Sequence, residues 1–194
     1  MPDRVLSDEE KKRIPPGQYL TERFPVLHYG SVPAFNPKKW DFKVWGLVEN
    51  PIKLSYEQLR ALPATRVKAD IHCVTRWSML DTVWEGVLFR DIAGIVRPKP
   101  EAKFVMAHAE NGFTANVPLE KLMDDDVLLA YRFNDAELTP EHGYPLRLVI
   151  PKLYFWKSAK WLRGLEFMAR DKLGFWESYG YNNDADPWLE QRYA

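Results

Sequence analysis

Arg66-Val67-Lys68-Ala69-Asp70-Ile71-His72-Cys73 holds the clearest strand periodicity in the chain. Val67, Ala69 and Ile71 alternate with Arg66, Lys68, Asp70 and His72, which predicts a strand with one apolar and one wet face. That strand delivers the chain to Cys73, the one cysteine among 194 residues. A single cysteine excludes an intrachain disulfide and the ligand set of a cysteine-rich zinc or iron–sulfur site. Any sulfur chemistry therefore rests on one thiolate. Strand-end loops are where active sites gather, and Arg76 and His72 are placed to favour the thiolate form. Four readings of Cys73 stay open: nucleophile, redox-sensing thiol, metal ligand, or small buried hydrophobe. A nucleophile needs a base, and the four histidines (His28, His72, His108, His142) are scattered along the sequence. A lone thiolate also suits a soft or high-valent metal whose other ligands come from a cofactor. This last reading requires a second feature, a site for an anionic cofactor.

A candidate for that site lies between Glu141 and Glu166, where no acidic residue occurs. Arg147, Lys152, Lys157, Lys160 and Arg163 fall inside it, interleaved with Tyr154, Phe155, Trp156 and Trp161. In a chain of zero net charge, such local segregation marks a candidate anion site. Lys157-Ser158-Ala159-Lys160 offers ammonium groups, a hydroxyl and loop N–H donors, and Arg147 can add a bidentate fork to a phosphate. A solvated basic face over buried rings is the competing explanation.

Working outward, Ser7-Asp8-Glu9-Glu10 has the capping-box spacing of a short helix, stopped at Pro15-Pro16-Gly17. Trp40, Phe42 and Val44 alternate as in a strand, and Ser55 with Gln58 opens another short helix before Pro63. Phe104 to Ala109 and Phe113 to Val117 flank Asn111-Gly112, a hairpin signal. Pro118 opens a helix toward Asp124, and Leu146 to Ile150 is a compact apolar strand between prolines. The expected architecture is α+β and strand-rich, one domain over 1–194 with an N-terminal arm at 1–23. Hydrophobic residues at 46% and charged residues at 28% exclude disorder and coiled coil. Neutral net charge disfavours a nucleic-acid partner. No apolar run approaches a membrane span, and Met1-Pro2-Asp3-Arg4 starts no apolar leader, so the expected location is cytoplasmic.

His72-Cys73-Val74-Thr75-Arg76-Trp77-Ser78, followed by Trp84-Glu85-Gly86-Val87, resembles the molybdenum-cysteine segment of the sulfite oxidase superfamily. Glu141 to Pro151 resembles that family's pterin-phosphate segment, and Lys157-Ser158-Ala159-Lys160-Trp161-Leu162 its continuation. The resemblance runs from about Phe24 to Tyr193 and is nearest the short bacterial forms. It implies the strand-rich mixed fold of the sulfite oxidase molybdopterin-binding domain, and molybdenum with molybdopterin as cofactor. Cys73 would be the metal's thiolate ligand, and His142, Arg147, Lys157, Ser158 and Lys160 would hold the pterin and its phosphate. His28-Tyr29-Gly30 would lie over the pterin, with Asn116, and Asn111 beside it, reaching in from the hairpin. Thr75 and Tyr181 would stand near the metal as catalytic groups. Trp77 and Ser78 occupy places where sulfite oxidases carry sulfite-binding arginines, as in the methionine-sulfoxide reductase branch. The expected reaction is two-electron oxygen-atom transfer on a small sulfoxide, N-oxide or sulfite-type molecule. Electrons would pass to a separate haem or flavin protein. A non-catalytic anion- or pterin-binding module and a metal-free Cys–His enzyme are the alternatives.

Overall fold

The computed structural model describes residues 6–194, so the first residues of the expected arm lie outside it. Helix α1 (Asp8–Lys12) starts in a full capping box between Ser7 and Glu10, and a short strand β1 (Tyr19–Leu20) follows. Next come β2 (Asp41–Gly46), β3 (Ile52–Ser55) and α2 (Tyr56–Arg60), the helix again boxed by Ser55 and Gln58. Strand β4 (Thr65–His72) leads through a tight turn to β5 (Trp77–Leu88), and α3 (Phe89–Val96) closes that stretch. The expected hairpin is β6 (Phe104–Ala109) and β7 (Thr114–Pro118), turning through Asn111 and Gly112, both at positive φ. Helix α4 (Leu119–Leu122), β8 (Leu128–Phe133), β9 (Ala136–Glu137), β10 (Arg147–Val149) and β11 (Leu162–Met168) complete the elements.

Two sheets result. In the larger, β5 pairs with β1, β4 and β8, and β8 also pairs with β9 and β10. The smaller runs β3-β2-β11-β6-β7. Phe42 and Val44 of β2, Val105 and Ala107 of β6, and Leu165 and Phe167 of β11 face a shared core with Val87, Leu129 and Leu148 of the larger sheet. Helix α3 adds Phe89, Ile92, Ala93 and Val96, one buried stripe at helical spacing, each large side chain contributing about 1.5–3 kcal/mol. The larger sheet is buried on its other face too, where Ile71, Trp84, Leu128, Ala130 and Val149 meet Phe155 and Trp156. A strand covered on both faces loses its alternation, and this is why β5 and β8 are not anticipated from the sequence. The wet face expected for β4 holds for Arg66 and Lys68 but fails at His72, which is buried against Ser78 and edge-on to Trp188.

Between β10 and β11 the acid-free segment crosses from the larger sheet to the smaller. The turn at Phe155–Lys157 on this crossover faces the turn after β4, and this places the two sequence signals against one another.

Candidate active site

Cys73 opens the turn between β4 and β5. Its N–H donates to the Trp77 carbonyl (2.9 Å), and the Arg76 N–H returns to the Cys73 carbonyl (3.0 Å), with Arg76 in the left-handed region. Gln18 Nε2 also donates to the Cys73 carbonyl (2.9 Å), and Arg192 Nη1 donates to that of Val74 (2.7 Å). Chain segments from both ends of the sequence thus hold the sulfur's backbone. The thiol accepts a hydrogen bond from Thr75 Oγ1 at 3.2 Å. Burial pushes the thiol above its ordinary range, while Thr75 and the charge of Arg192 pull it down. Thiolate support does not come from the neighbours expected in the sequence. Arg76 is exposed, and burial lowers His72 to about 4, leaving a neutral ring bonded through Nδ1 to Ser78 Oγ at 2.8 Å.

The sulfur faces a cavity of about 290 Å³ whose far wall is the crossover segment. Ser158 and Lys160 stand on that wall beside Arg147 of β10, His28 and Tyr29 on the loop next to it, and Thr75 and Tyr181 near the cysteine. Phe24, Trp77, Phe155, Trp156, Trp161 and Trp176 supply flat apolar surface. No acidic side chain lines the cavity among the described residues.

Arg147 is buried, with Nη1 donating to the His142 carbonyl (2.8 Å) and Nη2 to that of Ser158 (3.0 Å). Its Nε finds no protein acceptor, and its guanidinium lies 4.3 Å from the centre of the Phe155 ring with no carboxylate partner. Burial pulls it down to about 9, still charged at neutral pH. Lys160 Nζ donates to the Glu141 carbonyl at 2.6 Å, and burial together with Arg147 brings its ammonium down to about 7. Two depressed cations beside one cavity, facing no acid, make a wall short of an anion. Ser158 Oγ accepts from the Ile150 N–H at 2.9 Å, which fixes the hydroxyl beside them.

His28 Nδ1 contacts the Gly30 carbonyl at 3.0 Å, and the ring meets Trp161 edge-on. Tyr29 packs on Phe175 at 4.4 Å between centroids. Tyr181 stacks on Trp176 (5.0 Å) and meets Trp156 edge-on (5.1 Å). Gly30 stands off the wall at φ +73°, where an added Cβ would lie 2.9 Å from the Asn111 amide nitrogen. Asn111 donates to the Ser31 carbonyl (2.8 Å) and so holds this loop without itself reaching the cavity, while Phe113 of the same hairpin turn does line it. His142 is also set back, stacked on Phe24 at 4.0 Å and bonded to Thr139 Oγ1 at 2.9 Å. Asn116 and Lys157 are buried beneath the wall and are not among its lining residues. Sequence reasoning missed Gln18 and Arg192. Their only signal is a contact made across the folded chain.

Residues 29–176 match the family model of the oxidoreductase molybdopterin binding domain. The chain belongs to that family. Within it, the chain is 51% identical to the oxidoreductase YuiH of Bacillus subtilis, over 98% of this chain and 97% of the relative. It is 28% identical to the protein-methionine-sulfoxide reductase catalytic subunit MsrP of Campylobacter jejuni (75% of this chain, 54% of the relative). It is also 28% identical to the sulfite oxidase of Arabidopsis thaliana (84% and 51%), so the chain spans about half the length of these two relatives. The fold is shared with the sulfane dehydrogenase SoxCD of Paracoccus pantotrophus, at a TM-score of 0.67 and 22% identity over 87% of this chain and 54% of that one.

The residues present fit the cofactor of the molybdopterin-binding oxidoreductases. A soft sulfur donor opens onto the same space as two cations that lack acid partners, and aromatic faces line the rest. No helix among the described residues is long and apolar enough to cross a membrane.

Proposed function

We propose that this protein is a molybdenum–pterin oxidoreductase that moves an oxygen atom to or from a small sulfoxide, N-oxide or sulfite-type substrate, with Cys73 as the metal's thiolate ligand. One observation carries the reading: Cys73 shares its cavity with Arg147, Ser158 and Lys160. When bound, the cofactor supplies two-electron redox chemistry and exchange of an oxygen atom. The chain's own residues bind, orient and keep water out. Arg147 and Lys160 give the pterin phosphate its counter-charge, and the Ser158 hydroxyl adds a hydrogen bond. His28 and Tyr29 cover the pterin. Gly30, Asn116, His142 and Lys157 act from behind this layer, holding its backbone in place.

Thr75 restrains one lone pair of the Cys73 sulfur through its 3.2 Å hydrogen bond. Burial raises the Tyr181 phenol, so it stays protonated and can donate to an oxygen on the substrate. Among the polar groups on the Cys73 side, Thr75 and Tyr181 are neutral, and by the family resemblance Trp77, which also lines the cavity, takes the place of a sulfite-binding arginine. This favours a neutral S–O substrate over sulfite. The reductase and sulfite oxidase relatives are named for reactions of these two kinds. The likeness to a reductase catalytic subunit supports electron exchange with a separate protein, for which we propose a haem or flavin carrier.

Purified holoprotein, assayed with an aryl sulfoxide plus reduced viologen dye and with sulfite plus ferricyanide, tests the assignment. A kcat/KM for the sulfoxide at least about tenfold above that for sulfite is expected. The reverse order overturns the substrate preference, and no turnover with either, nor with an N-oxide plus the reduced dye, overturns the enzyme reading.

A further inference from the structure

The side chains of Lys157 and Glu177 are each 1% exposed, and their charged ends meet at 2.7 Å beneath the cavity wall. An ammonium has three N–H donors. Those of Lys157 have three acceptors, Glu177 Oε1, the Asn116 carbonyl (2.8 Å) and Asn116 Oδ1 (3.1 Å), so none is left for a ligand. The Asn116 amide is equally closed. Its Nδ2 donates to Asp171 Oδ1 (2.8 Å) and Asn183 Oδ1 (2.7 Å), and its Oδ1 also accepts from the Gly174 N–H (3.1 Å). Glu177 Oε1 takes a further hydrogen bond from Trp156 Nε1 at 2.8 Å.

Two ties of this cluster reach the cavity's aromatic wall, through Trp156 and through Glu177. Trp156 lines the cavity, Glu177 follows the lining residue Trp176, and Tyr181 packs against both tryptophans. We propose that Lys157, with Asn116 and Glu177, forms a positioning lock that touches no cofactor and instead fixes the wall of Trp156, Trp176 and Tyr181 over the cavity. The proposal rests on the molybdenum–pterin reading of that cavity. Removing one charge strands the other in a dry site, whereas removing both leaves neutral groups of similar volume.

The test compares wild-type holoprotein with Lys157→Met, Glu177→Gln and the double variant. Three quantities are read: thermal midpoint, pterin per chain, and sulfoxide turnover per bound molybdenum. Each single variant should lower the midpoint and cut turnover per bound molybdenum by about tenfold, with pterin per chain within about a factor of two. The double should recover turnover to within about threefold of wild type. Pterin content that falls in Lys157→Met and stays low in the double makes Lys157 a direct anchor and overturns the lock. Unchanged turnover per bound molybdenum in the singles also overturns it. If Lys157→Met fails to fold, Glu177→Gln decides alone by the same loss of turnover or its absence. Wild-type protein without pterin would sink the proposed function instead, while non-additive midpoints would still report on the lock.

Discussion

At Lys160 burial and the neighbouring Arg147 both push toward loss of the proton, while a bound anion pulls the other way. With the ammonium at about 7, the empty site carries its second charge below that pH and loses it above. Anion affinity should therefore be high at pH 6 and fall as pH rises through 7. Sulfate keeps a constant charge over this range, so its affinity for cofactor-free protein should drop about tenfold between pH 6 and 8, by calorimetry. In Lys160→Met the slope should vanish; a flat profile in the wild type would refute the account of this wall. At Cys73 the hydrogen bond from Thr75 opposes burial, so Thr75→Val should move the midpoint of the alkylation-rate profile of cofactor-free protein to higher pH. An unchanged midpoint would show that Thr75 does not govern the sulfur. Cys73, Arg147, Ser158 and Lys160 were legible in the sequence because two short segments carry them. Gln18 and Arg192 were not, since their partners lie 55 and 118 residues away.

Among the elements, β5 and β8 pair at a bulge beside Gly86, where a Cβ would lie 2.1 Å from the Leu129 carbonyl oxygen. This gives the glycine of Trp84-Glu85-Gly86-Val87 a steric reason, close approach of backbone to backbone. Gly86→Ala should cost about 1–3 kcal/mol by chemical denaturation, without altering any group on the cavity wall. A loss below about 0.5 kcal/mol would mean the pairing is looser than described. Ser55→Ala removes one half of a capping box and should cost about 1 kcal/mol. Both capping boxes and the Asn111-Gly112 hairpin could be read from sequence because their determinants sit within a few residues. β5 is a strand of 12 residues buried without a break at both ends and alternating only from Asp81 to Gly86, since both faces of its sheet are covered, so its pattern carried little period to read. His72 departed from its expected wet face for a related reason, as Trp188, far along the chain, covers the strand's end.

For the whole molecule, the larger sheet brings Cys73 at the end of β4 and Arg147 at the start of β10, and the crossover toward the smaller sheet brings Ser158 and Lys160 to the same cavity. A family resemblance carried by two motifs anticipated the fold and an approach of Tyr181 to the site, while the packing of Tyr181 against Trp156 and Trp176 became visible only in three dimensions. The central claim is that one sulfur and one cationic wall hold a single metal–pterin unit between them. Metal and pterin analysis with visible spectra of wild type and Cys73→Ser, both purified from cells that make the cofactor, tests it most directly. The account predicts about one molybdenum per chain and a thiolate-to-metal band in the wild type, with the band lost in Cys73→Ser while pterin is kept by Arg147, Ser158 and Lys160. Wild-type protein free of both metal and pterin, or a band that survives in Cys73→Ser, would contradict it.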